Sequence, residues 1–434
     1  MSRRVPPPDH PMGSLHLALP EVVALRNGVS VWLLPDRRAP LMEFRLALPT
    51  GGRAYDAPDW LGVASATARL MIAGTAQRTS LQIADEAERY GGAINFTANT
   101  ETAMMHAYCL ADFVEPMLNL IADVLLNPAF PEHEVEIDRA HTLQRLALQR
   151  AQPAFLAEER FRHVLFGDHP YRYYAPDENA VRNWNAEHLH RFYQRHYCPH
   201  GAILIVVGDF SPRRLLKRLE ETLGAWQGSP DDSKLPPVSH EPIAPGIHLV
   251  PRPNSVQSVI QMGTLCPPLH SPDYWGLLLG VSILGAGASS RLFLAVREQY
   301  GYAYSVGAHL DYYRRISAFV AFAQTATENT VQAIRQIQAE IERLWEAPIP
   351  ADELEATRNY LIGRQMLSWI TLSSMISLLS QIAVHGLPLN YWHQYPEQVR
   401  AVSASMIQEV CRCYLQPERM SLVVVGDENL TVDL

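Results

Sequence analysis

Ala202-Ile-Leu-Ile-Val-Val-Gly-Asp-Phe210 and Met420-Ser-Leu-Val-Val-Val-Gly-Asp-Glu428 are two copies of one pattern, an unbroken apolar run closed by Gly-Asp. Runs of this length that stop at a turn signal read as buried strands. Upstream of each copy the same elements recur in the same order. Pro128-Ala-Phe-Pro-Glu-His-Glu-Val-Glu-Ile-Asp-Arg139 parallels Pro348-Ile-Pro-Ala-Asp-Glu-Leu-Glu-Ala-Thr-Arg358. Each is a proline-marked loop, an acidic first turn and the start of a long helix. Glu88-Arg-Tyr-Gly-Gly-Ala-Ile-Asn-Phe96 parallels Glu298-Gln-Tyr-Gly-Tyr-Ala-Tyr-Ser-Val306, a helix stopped by glycine before an alternating strand. The offset between copies stays at roughly 210–220 residues in all three pairs, the register of an internal duplication.

The duplication divides the chain into an N-terminal arm (1–20), a first domain (21–228), a linker (229–245) and a second domain (246–434). Prolines at 6, 7, 8 and 11, with no apolar segment after Arg3-Arg4, predict a flexible arm instead of a signal helix. The linker opens Ser229-Pro-Asp-Asp-Ser-Lys-Leu-Pro-Pro and is polar and proline-stiffened. Within the first half, strands are expected near 29–35, 42–50, 94–98, 103–110 and 202–208. Helices are expected near 60–73, 80–90, 112–126, 132–150 and 186–195. Grouped strands and helices without strict alternation predict an α+β class. The expected architecture is two homologous α/β-sandwich domains, each a mostly antiparallel sheet with helices on one face.

Composition narrows the function. The 434 residues are 47% hydrophobic and 19% charged, with a formal net charge of -9, as in an ordinary globular protein. No Lys/Arg run exceeds two residues, so nucleic acid is not expected as a partner. No stretch approaches the roughly 18 apolar residues that span a bilayer, so no membrane is expected either. Five cysteines without a CxxC pair predict free thiols in a reducing compartment, hence a cytoplasmic location. No G-x-S-x-G elbow supports serine catalysis.

Leu61-Gly-Val-Ala-Ser-Ala-Thr-Ala-Arg-Leu-Met-Ile-Ala-Gly-Thr75 carries a resemblance that extends from about Glu21 to Asp427. The chain resembles the insulinase/pitrilysin family of metallopeptidases. Members carry Gly-Leu-x-His-x-x-Glu-His and then Met-Leu-Phe-x-Gly-Thr on a first long helix. Leu70, Met71, Gly74 and Thr75 keep that frame. The resemblance places Ser65 and Arg69 at the two histidine-ligand positions and Ala68 at the general-base position. The third ligand, a glutamate on a later helix, would fall at Gln144 or Arg145. Histidines at i and i+4 chelate zinc from one helix face, and the glutamate activates the bound water. A hydroxyl is a poor substitute, and a guanidinium is a permanent cation. Other histidines offer no replacement: between His196 and His200 lies Pro199, which prevents one helical turn from presenting both. No metal is therefore expected in this chain.

Ser289-Ser-Arg-Leu-Phe-Leu-Ala-Val-Arg297-Glu-Gln-Tyr-Gly301-Tyr-Ala-Tyr304 resembles the family's signature in its second homologous domain. There an arginine and a tyrosine seven positions later face the zinc across the substrate chamber; carried over, these are Arg297 and Tyr304. Both donate hydrogen bonds suited to a peptide carbonyl or an oxyanion. The plainer alternative is Arg297 paired with a nearby acid and Tyr304 filling core. Just upstream, Gly285, Gly287, Ser289 and Ser290 match the place of a glycine-rich substrate loop in the non-catalytic subunit of the mitochondrial processing peptidase. A tight turn is the equal alternative. The family also captures peptide at a sheet edge, and 43–49 is the expected edge strand.

The implied function is a non-catalytic, substrate-binding subunit whose homologous partner bears the zinc. The alternative is a scaffold or peptide-binding core subunit without enzymatic role.

Overall fold

The computed structural model describes residues 18–228 and 234–430; the first 17 residues of the expected arm, linker residues 229–233 and the last four residues lie outside it. The first half builds a six-stranded sheet from β1 (Glu21–Ala24), β2 (Ser30–Pro35), β3 (Leu41–Leu48), β4 (Ala93–Ala98), β5 (Ala103–Leu110) and β6 (Ile203–Gly208). The second half builds a five-stranded sheet from β7 (Gly246–Pro251), β8 (Gln257–Cys266), β9 (Ala303–Tyr312), β10 (Ser317–Ala326) and β11 (Ser421–Gly426).

The spatial orders are β1-β2-β6-β3-β5-β4 and β7-β11-β8-β10-β9. With β1 set aside, the second order repeats the first strand for strand. Even the single parallel pair recurs in place, β2 with β6 and β7 with β11. All remaining ladders are antiparallel. The two Gly-Asp strands are β6 and β11, the buried centre of each parallel pair.

Helices α1 (Val63–Leu70), α2 (Ser80–Arg89), α3 (Val114–Leu126), α4 (Glu132–Arg150), α5 (Pro153–Phe166), α6 (Glu178–Asn183), α7 (Ala186–His196) and α8 (Pro212–Leu223) belong to the first half. The second half has α9 (Tyr274–Gly285), α10 (Thr330–Glu346), α11 (Ala351–Leu367), α12 (Leu372–His385), α13 (Tyr391–Ala401) and α14 (Ala404–Tyr414). Gly91 (φ +66°) and Gly301 (φ +64°) hold matching left-handed positions, one after α2 and one after its counterpart Phe293–Gln299. A residue with a Cβ is strained there, so the glycines set where each helix turns into the edge strands β4 and β9.

The two halves have the expected α+β architecture, and the structure adds one feature to it. The outer face of each sheet is covered by a helix from the other half. Helix α12 packs on β3 and β6, and α5 packs on β8 and β11. Trp32, Leu34, Ile205 and Val207 share a core with Ile376 and Leu379 of α12. Phe161 and Leu165 of α5 share one with Val320 and Val423. The cause lies in the strands: β6 and β11 are apolar on both faces, and such strands must be covered twice. Among the described residues no single helix is long and apolar enough to cross a membrane.

Candidate functional site

Helix α1 begins where Asp56 accepts from the backbone N–H groups of Gly62 and Ala64, both at 2.7 Å. A carboxylate there satisfies the open donors of the first turn. Burial dominates its environment and pushes its pKa up to about 7, against the pull of those two bonds and of Arg53. The helix is short and small-residued, with Ala64, Ala66 and Ala68 fully buried, so it lies close beneath its neighbours.

Ser65 and Arg69, four apart, share one face of α1 and line a cavity of about 260 Å³. Thr142, Arg145 and Gln149 line it from α4, and Arg53, Tyr174 and Trp184 complete its walls. Of the two residues expected at the third-ligand position, Arg145 lines the cavity and Gln144 is not among the lining residues. Ala68 faces the core and does not reach the cavity.

The donor chemistry of this cavity does not fit a zinc ion. Arg69 donates through Nε and Nη2 to both carboxylate oxygens of Asp138, each at 2.8 Å. It donates again to Thr142 Oγ1 at 3.1 Å. Arg145 gives its own bond to the same Oγ1 at 3.0 Å. Two guanidiniums offer no lone pair, and together they repel a dication. Desolvation, and then Arg69, lower the pKa of Arg145. Asp138, Thr142, Arg53 and Trp184 were not singled out from sequence. The signal available was the spacing of 138, 142, 145 and 149, one stripe of α4.

Arg297 and Tyr304 come together elsewhere. The segment Phe293–Gln299 is wound in wide π-type turns, and Tyr300 N–H reaches back to Ala295 O at 3.1 Å. Insertions of this kind re-aim side chains. Here the guanidinium carbon of Arg297 lies 5.7 Å from the centre of the Tyr304 ring and 4.8 Å from that of Phe293. Tyr304 is 79% exposed, so it does not fill core. Arg297 does have an acid nearby, Glu298 at 3.8 Å, while its side chain stays partly open. Every residue lining the arginine cavity comes from the first half, so Arg297 and Tyr304 do not border it.

The small-residue loop divides. Gly285 ends α9 against β9, where a Cβ would come within 2.0 Å of Ala308 N. Ser290 is buried and donates to Gly287 O at 2.7 Å, closing the turn. Gly287 and Ser289 are exposed. The expected edge strand 43–49 is not an edge: β3 pairs with β5 on one side and β6 on the other. The free edges are β1 and β4 in the first sheet and β7 and β9 in the second, with Tyr304 on β9.

Known proteins agree with this architecture. Residues 39–172 match the family model described as Insulinase (Peptidase family M16), and residues 183–361 match the one described as Peptidase M16 inactive domain. The chain belongs to the insulinase, or peptidase M16, family. A relative from Rickettsia bellii (strain RML369-C), described as an uncharacterized zinc protease, is 26% identical over 425 residues, covering 94% of this chain and 98% of that one. Among solved M16-like folds, the peptidase M16 inactive domain from Pseudomonas fluorescens superposes with a TM-score of 0.88 at 23% identity, covering 94% of this chain and 98% of that chain. A protease from Helicobacter pylori superposes with a TM-score of 0.86 at 18% identity, covering 94% and 100%.

Proposed function

We propose that this chain is the non-catalytic, substrate-binding subunit of a two-chain zinc peptidase. The partner is a homologous M16 chain that holds the zinc and the general base. This chain contributes Arg297 and Tyr304, which donate to the carbonyl oxygen of the scissile peptide and to the oxyanion that forms on it. The observation that carries the proposal is an asymmetry. At the ligand positions a guanidinium is tied to Asp138, whereas Arg297 and Tyr304 are assembled beside each other and face outward. A donor pair open to solvent is available to a second chain. The free thiols support a reducing compartment, and we place the subunit in the cytoplasm.

The test is isolation of the chain from its native extract, followed by reconstitution. A homologue with an intact His-x-x-Glu-His motif should accompany it, and mixing the two should raise peptidase activity well above either alone. Chelator-sensitive hydrolysis by the purified chain without a companion overturns the proposal. A complex whose activity ignores Arg297 leaves the scaffold role instead.

A further inference from the structure

The arginine cavity of the first half has a charge imbalance that the half-enzyme proposal does not use. Arg69 is neutralised by Asp138. Arg53 and Arg145 have no ion-pair partner among the described residues. Arg53 donates to Tyr174 O at 2.8 Å and to Thr100 Oγ1 at 3.4 Å, while its Nε has no partner. Arg145 bonds only Thr142 Oγ1, which it shares with Arg69. The indole N–H of Trp184, in a fully buried side chain, is also without a partner. Arg53 Nε and Trp184 Nε1 are thus buried donors without acceptors, which is costly, and the exposed Arg145 adds an unpaired positive charge to the same lining. One lining carboxylate, Asp56, partly offsets the two unpaired guanidiniums, leaving a cavity suited to one negative charge.

We propose that this cavity is a binding site for a monocarboxylate on an apolar stem, furnished by a peptide's C-terminus or by an acidic side chain. Guanidinium groups match a carboxylate through paired N–H donors. Arg145 and Arg53 take the anion, and the rings of Phe155, Tyr174 and Trp184, which line the same cavity, take the stem. A phosphate dianion fits less well, because the apolar part of the lining, Leu61, Leu146, Phe155 and Pro176, offers it no donors. A volume of about 260 Å³ admits one residue-sized group and is below the range usual for whole cofactors. The metal position thus exchanges a cation for an anion. The inference concerns the first half alone and is independent of the role of Arg297.

Isothermal titration of the purified full chain tests it with three short apolar peptides of one length. One has a free C-terminus, one is amidated, and one is amidated but carries a single Glu. The expected result is saturable binding of a carboxylate peptide at least about tenfold tighter than the neutral one. A preference for the free terminus or for the Glu peptide tells which source the site takes. Arg145→Gln, at an exposed position that leaves Arg69–Asp138 intact, should weaken binding about tenfold or more, and Arg145→Lys by less. The proposal falls if neither carboxylate peptide binds, if all three bind equally, if inorganic phosphate binds more tightly, or if Arg145→Gln changes nothing.

Discussion

Arg69 and Asp138 meet in two parallel hydrogen bonds of 2.8 Å that tie α1 to α4. Asp138 is largely buried and Arg69 about one-third exposed. Removing one partner leaves the other charge poorly solvated. Arg69→Ala should destabilise the chain by about 1–3 kcal/mol. Arg69→Ala with Asp138→Ala should cost less than the sum of the single changes, because the orphaned charge is gone. Urea unfolding of the four proteins measures this; additive effects would mean the pair is not coupled.

Metal content follows from the same residues. The chain purified alone should hold far less than one zinc per molecule by elemental analysis. Arg69→His by itself should not change that, since Ser65 and Arg145 beside it in the cavity supply neither imidazole nor carboxylate. Combining Ser65→His, Arg69→His and Arg145→Glu restores a three-ligand set and should raise zinc uptake. A stoichiometric ion in the unaltered chain contradicts the electrostatics.

In the reconstituted complex, Arg297→Ala and Tyr304→Phe should each lower kcat by roughly 10–1,000-fold, with smaller effects on KM. Arg297→Lys keeps the charge but not the planar fork and should recover only part of the loss. Turnover equal to the unaltered complex in both variants would remove the pair from the chemistry.

Acid should weaken the fold through His385. Burial lowers its pKa from 6.5 to about 4, with Arg314 and His270 adding repulsion. Between those values the unfolded chain binds the proton that the folded chain refuses. The contribution of the neutral ring is complete above about pH 6.5 and is lost as pH falls toward 4. His385→Gln should flatten that limb by about 1–3 kcal/mol. Unfolding midpoints at pH 7 and 4.5 decide it; parallel losses in both proteins would assign the acid limb to other groups.

The exchange of α5 and α12 predicts how the halves behave when severed. Residues 18–240 and 241–434, produced together, should co-elute as one particle. Produced alone, each should be poorly soluble, because Val320 and Val423, or Ile205 and Val207, lose their cover. Two separately soluble, non-associating halves would refute the interlocked core.

Duplication was legible in residues because β6 and β11 are strongly patterned, as were the glycines before β4 and β9. The retained frame of Leu70, Met71, Gly74 and Thr75 pointed to Ser65 and Arg69, which the structure sets on one cavity wall. Asp138 was not: among the charges of 132–141 it looks like one more solvated residue, and only the approach of α1 makes it a partner. The interior place of β3 was hidden too. Strand order depends on β6 arriving from more than 150 residues downstream to occupy its other side. The twofold covering of the sheets was written in the doubly apolar runs, but an apolar run does not say which helix will cover it.

Each sheet rests its back on a helix sent over by its twin. To swing the halves apart, the chain would have to strip Ile376 and Leu379 from Trp32 and Leu34, or Phe161 from Val320, exposing core to water. A molecule latched in this way moves as one jaw. On the two-chain reading proposed above, a mouth that admits a peptide opens between the two polypeptides, with this one as its unbending side.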